Sequence, residues 1–203
     1  MNIEEEMECT GLKQELEIEF KNIVSKNHFQ TLMNHFNITK ENLKEQTNHY
    51  FDTSSFSLKA QRSALRIRKK EDSYVLTLKQ PSGQHLLESN QPISKETLEQ
   101  MLASDSFPDG GIKELIQSMG IDPELIQYLG TLKTFRAKIP YDGGLLFFDE
   151  SHYLGTIDYE IEYECDDDKK GKETFKALMT SHSIPIVKTA NKIQRFFTRK
   201  QDI

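Results

Sequence analysis

Cysteine is scarce in this chain. There are two, Cys9 and Cys165, far apart, and the first sits in an acidic N-terminal stretch. That excludes a disulfide framework and sets the expectation of a reduced, cytoplasmic compartment. Positive charge is not in excess either: 26 Lys and Arg face 32 Asp and Glu, a formal net charge of −6. A broadly basic surface is missing, so no nucleic-acid partner is expected. No run is apolar enough to span a bilayer, so no membrane partner is expected. Met1 to Glu8 is acidic and has no apolar signal-peptide centre; residues 1–10 read as a flexible tail. Fixed-period repeats and low-complexity tracts are also lacking. Residues 11–203 are long enough, at 36% apolar content overall, for a single domain with one core.

What the chain has is alternation. From Glu15 to Lys21, Glu15, Glu17, Glu19 and Lys21 alternate with Leu16, Ile18 and Phe20. That is the period of a strand with one charged and one apolar face. Asp158 to Glu164 repeats the pattern, with Asp158, Glu160, Glu162 and Glu164 against Tyr159, Ile161 and Tyr163. Each alone is an ordinary polar-faced edge strand. Together they gather carboxylates, and like charges facing one another in a sheet need cations between them.

Cations alternate too. Arg66 and Arg68 oppose Leu65 and Ile67; after a turn at Asp72-Ser73, Thr77 and Lys79 oppose Leu76 and Leu78. These two segments predict a hairpin, and Gln84 to Asn90 a third strand of the meander. Leu132 to Ile139 carries Thr134, Arg136 and Lys138 on one face, and Leu145 to Glu150 places Asp149 beside Phe147. Helices are expected from Ser25 to about Phe36, within an insert at about 94–129, and over Lys169 to Ser181. Ser94 and Asp122 are expected caps, the latter followed by Pro123 at the first helical position. Lys188 to Arg199 reads as a closing strand or short helix.

About eight or nine strands can close into a small barrel. The alternation leaves open whether the charged faces point to solvent or inward. If inward, helices cover the apolar faces, and the charges need pairing or metal. Arg suits phosphate oxygens by its planar fork and Lys by its point charge. Carboxylates suit Mg²⁺ or Mn²⁺, which bridge to phosphate.

Glu17-Ile18-Glu19-Phe20-Lys21 resembles the ExExK signature of the CYTH superfamily, also called triphosphate tunnel metalloenzymes. Leu154 to Glu162 resembles its second acidic strand, Tyr50 to Thr53 its Tyr-x-Asp-Thr segment, and Leu65 to Arg68 and Thr77 to Lys79 its basic strands. The resemblance covers nearly the whole chain. It implies an α+β fold: a closed eight-stranded antiparallel β-barrel, a tunnel, with helices packed on the outside. It also implies a small-molecule triphosphate substrate and Mg²⁺ or Mn²⁺. Glu17, Glu19, Glu160 and Glu162 then take catalytic and metal-holding roles, joined by Asp149 as a metal ligand. Lys21, Arg66, Arg68, Lys79, Arg136, Lys188, Lys192 and Arg195 bind the substrate. Asp158 and Glu164 share the acidic face behind them.

The leading expectation is a metal-dependent triphosphatase. The same cradle could serve a class IV adenylyl cyclase acting on ATP, although no feature supplies base recognition. Thiamine triphosphate asks for an aromatic platform, and with no tryptophan that task falls to Tyr and Phe. A non-catalytic polyphosphate-binding module is disfavoured by so many carboxylates. A helix-decorated sandwich with polar outer faces and no site is the plainest alternative. Oligomeric state is left open, a homodimer being one outcome.

Overall fold

The computed structural model describes residues 11–201, so the expected tail lies outside the described residues. The strands are β1 (Lys13–Glu17), β2 (Glu19–Val24), β3 (Lys44–Thr53), β4 (Ala64–Lys70), β5 (Ser73–Ser82), β6 (His85–Ile93), β7 (Ile126–Tyr141), β8 (Gly144–Tyr153) and β9 (Thr156–Glu164). The helices are α1 (Lys26–His35), α2 (Ser57–Ala60), α3 (Lys95–Ala103), α4 (Gly111–Ser118), α5 (Asp168–Ser181) and α6 (Lys192–Gln201). Every strand pair with a defined register is antiparallel. The fold is α+β, as expected. Among the described residues there are nine strands rather than eight, because the first acidic stretch breaks at Ile18 into two. The two halves take different neighbours, β1 beside β6 and β2 beside β9.

The described residues form two compact units, one of residues 11–16 and 47–131, the other of residues 17–46 and 132–201. In the first, the sheet order is β1-β6-β5-β4-β3-β7; in the second, β3-β7-β8-β9-β2, each of β3 and β7 giving a part to both. Neither order closes on itself.

Each unit has its own core. In the first, Leu65, Ile67, Leu76 and Leu78 pack beneath Leu98 and Met101 of α3 and Ile112 and Ile116 of α4. In the second, Ala137, Leu146, Phe148, Ile161 and Tyr163 pack beneath Phe29, Leu32 and Met33 of α1 and Phe175, Leu178 and Met179 of α5. The strand alternation dictates this: alternate residues supply the apolar face, and amphipathic helices bury it. Removing these side chains from water is the main stabilising contribution, each fully buried Leu, Ile or Phe giving about 1.5–3 kcal/mol.

The expected caps form. Ser25 accepts from His28 N and Ser94 from Thr97 N, and a further cap stands at the head of α5, where Asp167 accepts from Lys170 N. Asp122 accepts from Glu124 N, but Pro123–Leu125 makes only a 3-10 turn before β7 begins at Ile126, inside the stretch expected to be helical. The closing segment resolves as a helix, α6. Among the described residues, no helix is long and apolar enough to cross a membrane.

Candidate functional site

Three carboxylates at the centre of the second unit's charged face are as buried as its apolar core. In register, Asp149 faces Arg136 on one side and Glu160 on the other, and Glu162 faces Lys21. Asp149 is fully buried; Glu160 and Glu162 are 1% and 4% exposed. The reading with charges turned to bulk water does not hold for this unit. Carboxylate oxygens of the three acids lie within 4.8 Å of one another, a group that could hold a metal ion.

Cations fill the space around them. The Arg136 fork donates to both Asp149 oxygens at 2.6 Å and reaches Glu162 as well. Its guanidinium carbon lies 4.5 Å from the centre of the Phe147 ring, which fixes the plane of the fork. Lys192, the first residue of α6, puts its ammonium 2.8 Å from Asp149 Oδ2 and 2.5 Å from Glu160 Oε1, and bonds Glu162 too. Arg195, one turn on, bonds Asp158 at 2.8 Å through Nε. Its Nη1 lies 2.5 Å from Glu160 Oε2, outside hydrogen-bond geometry. Glu160 Oε2 and the buried Arg195 Nη2 therefore retain unused hydrogen-bonding capacity. Tyr153 donates to Asp158 from behind, and its ring lies 6.1 Å from that of Phe196 on α6.

The electrostatics follow from burial and pairing. Burial pushes the Glu160 carboxyl up to about 7, against the pull of Lys192. Glu162 is buried as deeply, yet Lys192 and Arg136 overcome that penalty and hold it well below the usual carboxylate range. Burial opposes the charge on Lys192, but Asp149, Glu162 and Glu160 raise its pKa well above the usual value. Two neighbouring carboxyls are thus driven apart, a pattern common at reactive sites.

A second acidic group, Glu17, Glu19 and Glu164, lies in the same unit. Glu19 faces Glu164 in register, and Lys21 bonds Glu19 at 2.6 Å. Burial, then repulsion from Glu17, lifts Glu164 to about 7. The acids expected as one ligand set are therefore sorted into two groups, with Glu164 joining one and Asp149 the other.

The first unit holds a basic cluster. Arg66, Arg68, Thr77 and Lys79 share one face with Glu88 and Asn90. Lys79 lies 2.8 Å and Arg66 3.5 Å from Glu88. Arg68 donates to Asn48, Thr77 to Asn90, and Asn90 to Glu88. Although burial works the other way, Arg66 and Lys79 hold Glu88 down at about 2.

Of the expected substrate-binding residues, Lys21, Arg136, Lys192 and Arg195 meet the acidic groups of their unit, and Arg66, Arg68 and Lys79 gather in theirs. Lys188 is exposed in the segment before α6 and joins neither set among the described contacts. Two residues escaped the sequence reading. Glu88 was placed only as part of a meander strand, and Tyr153 lay at a strand end with no charge to mark it.

The family model described as the CYTH domain matches residues 15–197. A Bacillus subtilis protein named "Putative triphosphatase YjbK" is 43% identical over 190 residues, covering 94% of this chain and 98% of its own length. The chain belongs to the CYTH family. Among solved CYTH-like structures, a Bacillus halodurans protein described as a "putative adenylate cyclase" is 44% identical with a TM-score of 0.87, over 91% of this chain and 98% of that one. A Hippeastrum protein, HpAC1, described as a "putative adenylyl cyclase" that "reveals a dominant" triphosphatase activity, shares the fold at 24% identity and a TM-score of 0.73, over 90% of this chain and 95% of that one.

The CYTH acidic groups suit a hard divalent cation. Both consist wholly of carboxylate oxygens, the donors preferred by Mg²⁺ and Mn²⁺. In the Asp149 group, the Lys192 ammonium already touches all three acids, so a cation is accommodated there. Glu160 Oε2, buried and held by its ion pair with Arg195, keeps acceptor capacity for a cation.

Proposed function

We propose that this CYTH protein hydrolyses a triphosphate, inorganic or carried on an organic group, with the help of Mg²⁺ or Mn²⁺. The observation that carries this reading is the buried set of Asp149, Glu160 and Glu162 interleaved with Arg136, Lys192 and Arg195. A plain anion site would be weakened by three buried acids, and a plain cation site by three buried bases. A metal–polyphosphate complex carries both signs and matches both.

Asp149, Glu160 and Glu162 would hold one ion, and Glu17, Glu19 and Glu164 are suited to a second. Bound there, the metal would neutralise phosphate charge and present water at neutral pH. Arg136, Lys192 and Arg195 would bind phosphate oxygens, Arg195 Nη2 with a donor not otherwise used. Lys21 would do the same beside Glu19. Arg66, Arg68 and Lys79 supply further phosphate-binding groups in the other unit. The rate gain would come from alignment and charge neutralisation, once the ion takes the place that the Lys192 ammonium holds among the three acids.

A second reading is an adenylyl cyclase, favoured by the name of the Bacillus halodurans relative. One assay separates the two. The protein is incubated with tripolyphosphate, ATP and thiamine triphosphate, each with Mg²⁺, Mn²⁺ or EDTA. Phosphate release that needs metal, with no cyclic AMP, supports the triphosphatase. Cyclic AMP and pyrophosphate from ATP support the cyclase, and no turnover of any substrate overturns both.

A further inference from the structure

We propose that Asn22 is a positioning residue for this site, latching the segment before α6 to β2 and so setting Lys192 and Arg195 among the carboxylates. Asn22 stands between Phe20 and Val24 on the face of β2 that packs into the core, where the alternation calls for an apolar residue. Its strand partner on that face is the fully buried Ile161. Asn22 itself is fully buried. A carboxamide there costs free energy unless its hydrogen bonds are made.

They are made, and nearly all to one place. Nδ2 donates to Pro185 O at 2.9 Å, and Oδ1 accepts from Val187 N at 2.9 Å. The side chain thus imitates a strand partner, donating and accepting two residues apart. A weak third contact runs from Nδ2 to Met179 Sδ at 3.6 Å. The next residue continues the latch: Ile23 N donates to Thr189 Oγ1 at 2.9 Å. β2 is an edge strand of its unit's sheet, so this segment takes an edge that would otherwise be unpaired.

The latch ends where the site begins. Thr189 is three residues from Lys192, at most about 10 Å of extended chain. Within that span Asn191 caps α6: Gln194 N donates to Asn191 Oδ1 at 2.9 Å, and Asn191 N to Gln194 Oε1 at 3.3 Å. Little slack is left between the anchored backbone and the ammonium. On the other face of β2, Lys21 faces Glu162, so one strand carries a binding residue and the latch for two others.

The latch stands on these hydrogen bonds, while its effect on substrate rests on the triphosphatase reading. The test uses the whole chain. Asn22→Leu removes both bonds and keeps the packing; Thr189→Val leaves both Asn22 bonds, removes the Ile23 bond together with the Thr189 hydroxyl's own bond to Val187 O, and serves if the first variant does not fold. Hydrogen exchange is compared at residues 185–199 and within α1 and α5. Expected is exchange about tenfold to a hundredfold faster in 185–199 with α1 and α5 unchanged. Tripolyphosphate affinity with Mg²⁺ is then measured for wild type, Asn22→Leu, Lys192→Met and the double variant. Expected is a severalfold loss in Asn22→Leu that shrinks in the Lys192→Met background, where only the Arg195 share is left to lose. Unchanged exchange at 185–199, exchange raised equally in α1 and α5, or additive losses in the double variant would overturn the proposal. Wild-type protein that does not bind tripolyphosphate would sink the function instead, and the exchange result would still decide the latch.

Discussion

The first unit's polar face and the second's are opposites in charge. In one, Arg66, Arg68 and Lys79 surround a carboxylate, Glu88. In the other, Asp149, Glu160 and Glu162 surround an ammonium, Lys192. Each inner group occupies the position of a ligand of its own sign: Glu88 stands among cations as a phosphate would, and Lys192 among acids as a divalent ion would. A buried cluster of one sign would not hold together on its own. The comparison teaches that an internal counterion keeps each face folded until the ligand comes.

The largest expected effect tests the acidic face. Glu160→Gln should lower metal-dependent turnover by about 10²–10⁴-fold, read as phosphate release, by removing charge from the ion's seat. It is a gentler change to the fold than the same change at Glu162, since burial outweighs the cations around the Glu160 charge and the cations outweigh burial around Glu162. Unaltered turnover would break the comparison on the acidic side. Next comes the basic face: Arg66→Ala should raise the KM for tripolyphosphate by about 10–100-fold, the loss of one charged hydrogen-bonding partner. An unchanged KM and kcat would remove that cluster from substrate binding.

Two smaller effects have opposite signs with pH. Glu88, held at about 2, contributes stability that is complete above its ordinary pKa of 4.5 and lost as pH falls toward 2. Glu88→Gln should therefore flatten the fall in melting temperature over that acid range. Glu164, raised to about 7, behaves in reverse: in metal-free protein, ionising it costs stability as pH climbs from 4.5 through 7. Glu164→Gln should raise the melting temperature by a few degrees at pH 8, about 1 kcal/mol, and change little at pH 4. Matching signs for the two variants would erase the distinction between the faces.

Much of this was legible in the sequence, for a physical reason. Alternation reports facing, so Glu160 and Glu162 against Ile161, and Arg66 and Arg68 against Ile67, declare which side chains travel together. Helix caps are local too, and Ser25, Ser94 and Asp122 announced theirs. Pairing is not local. Nothing near Glu19 says that it will face Glu164, and nothing near Lys79 says that it will face Glu88, because register is set by strands far along the chain. Hence the acids looked like one set and divided into two, and Glu88 passed as a meander residue. Asn22 did leave a mark, as a polar residue where Phe20 and Val24 predict an apolar one. Lys192 and Arg195 were placed by resemblance, while their partners became visible only with α6 in position.

The break at Ile18 has a consequence for how such a chain can change over time. Leu16 and Phe20 are four residues apart, yet their strands take their alignment from β6 and β9 separately. A one-step slip inverts every side chain of the strand it affects. Here a slip in β1 stops at the break and leaves Glu19 and Lys21 facing Glu164 and Glu162. The interruption works as a firebreak: of the two acidic groups only Glu17 lies on the N-terminal side, and everything beyond it stays in phase if that side drifts.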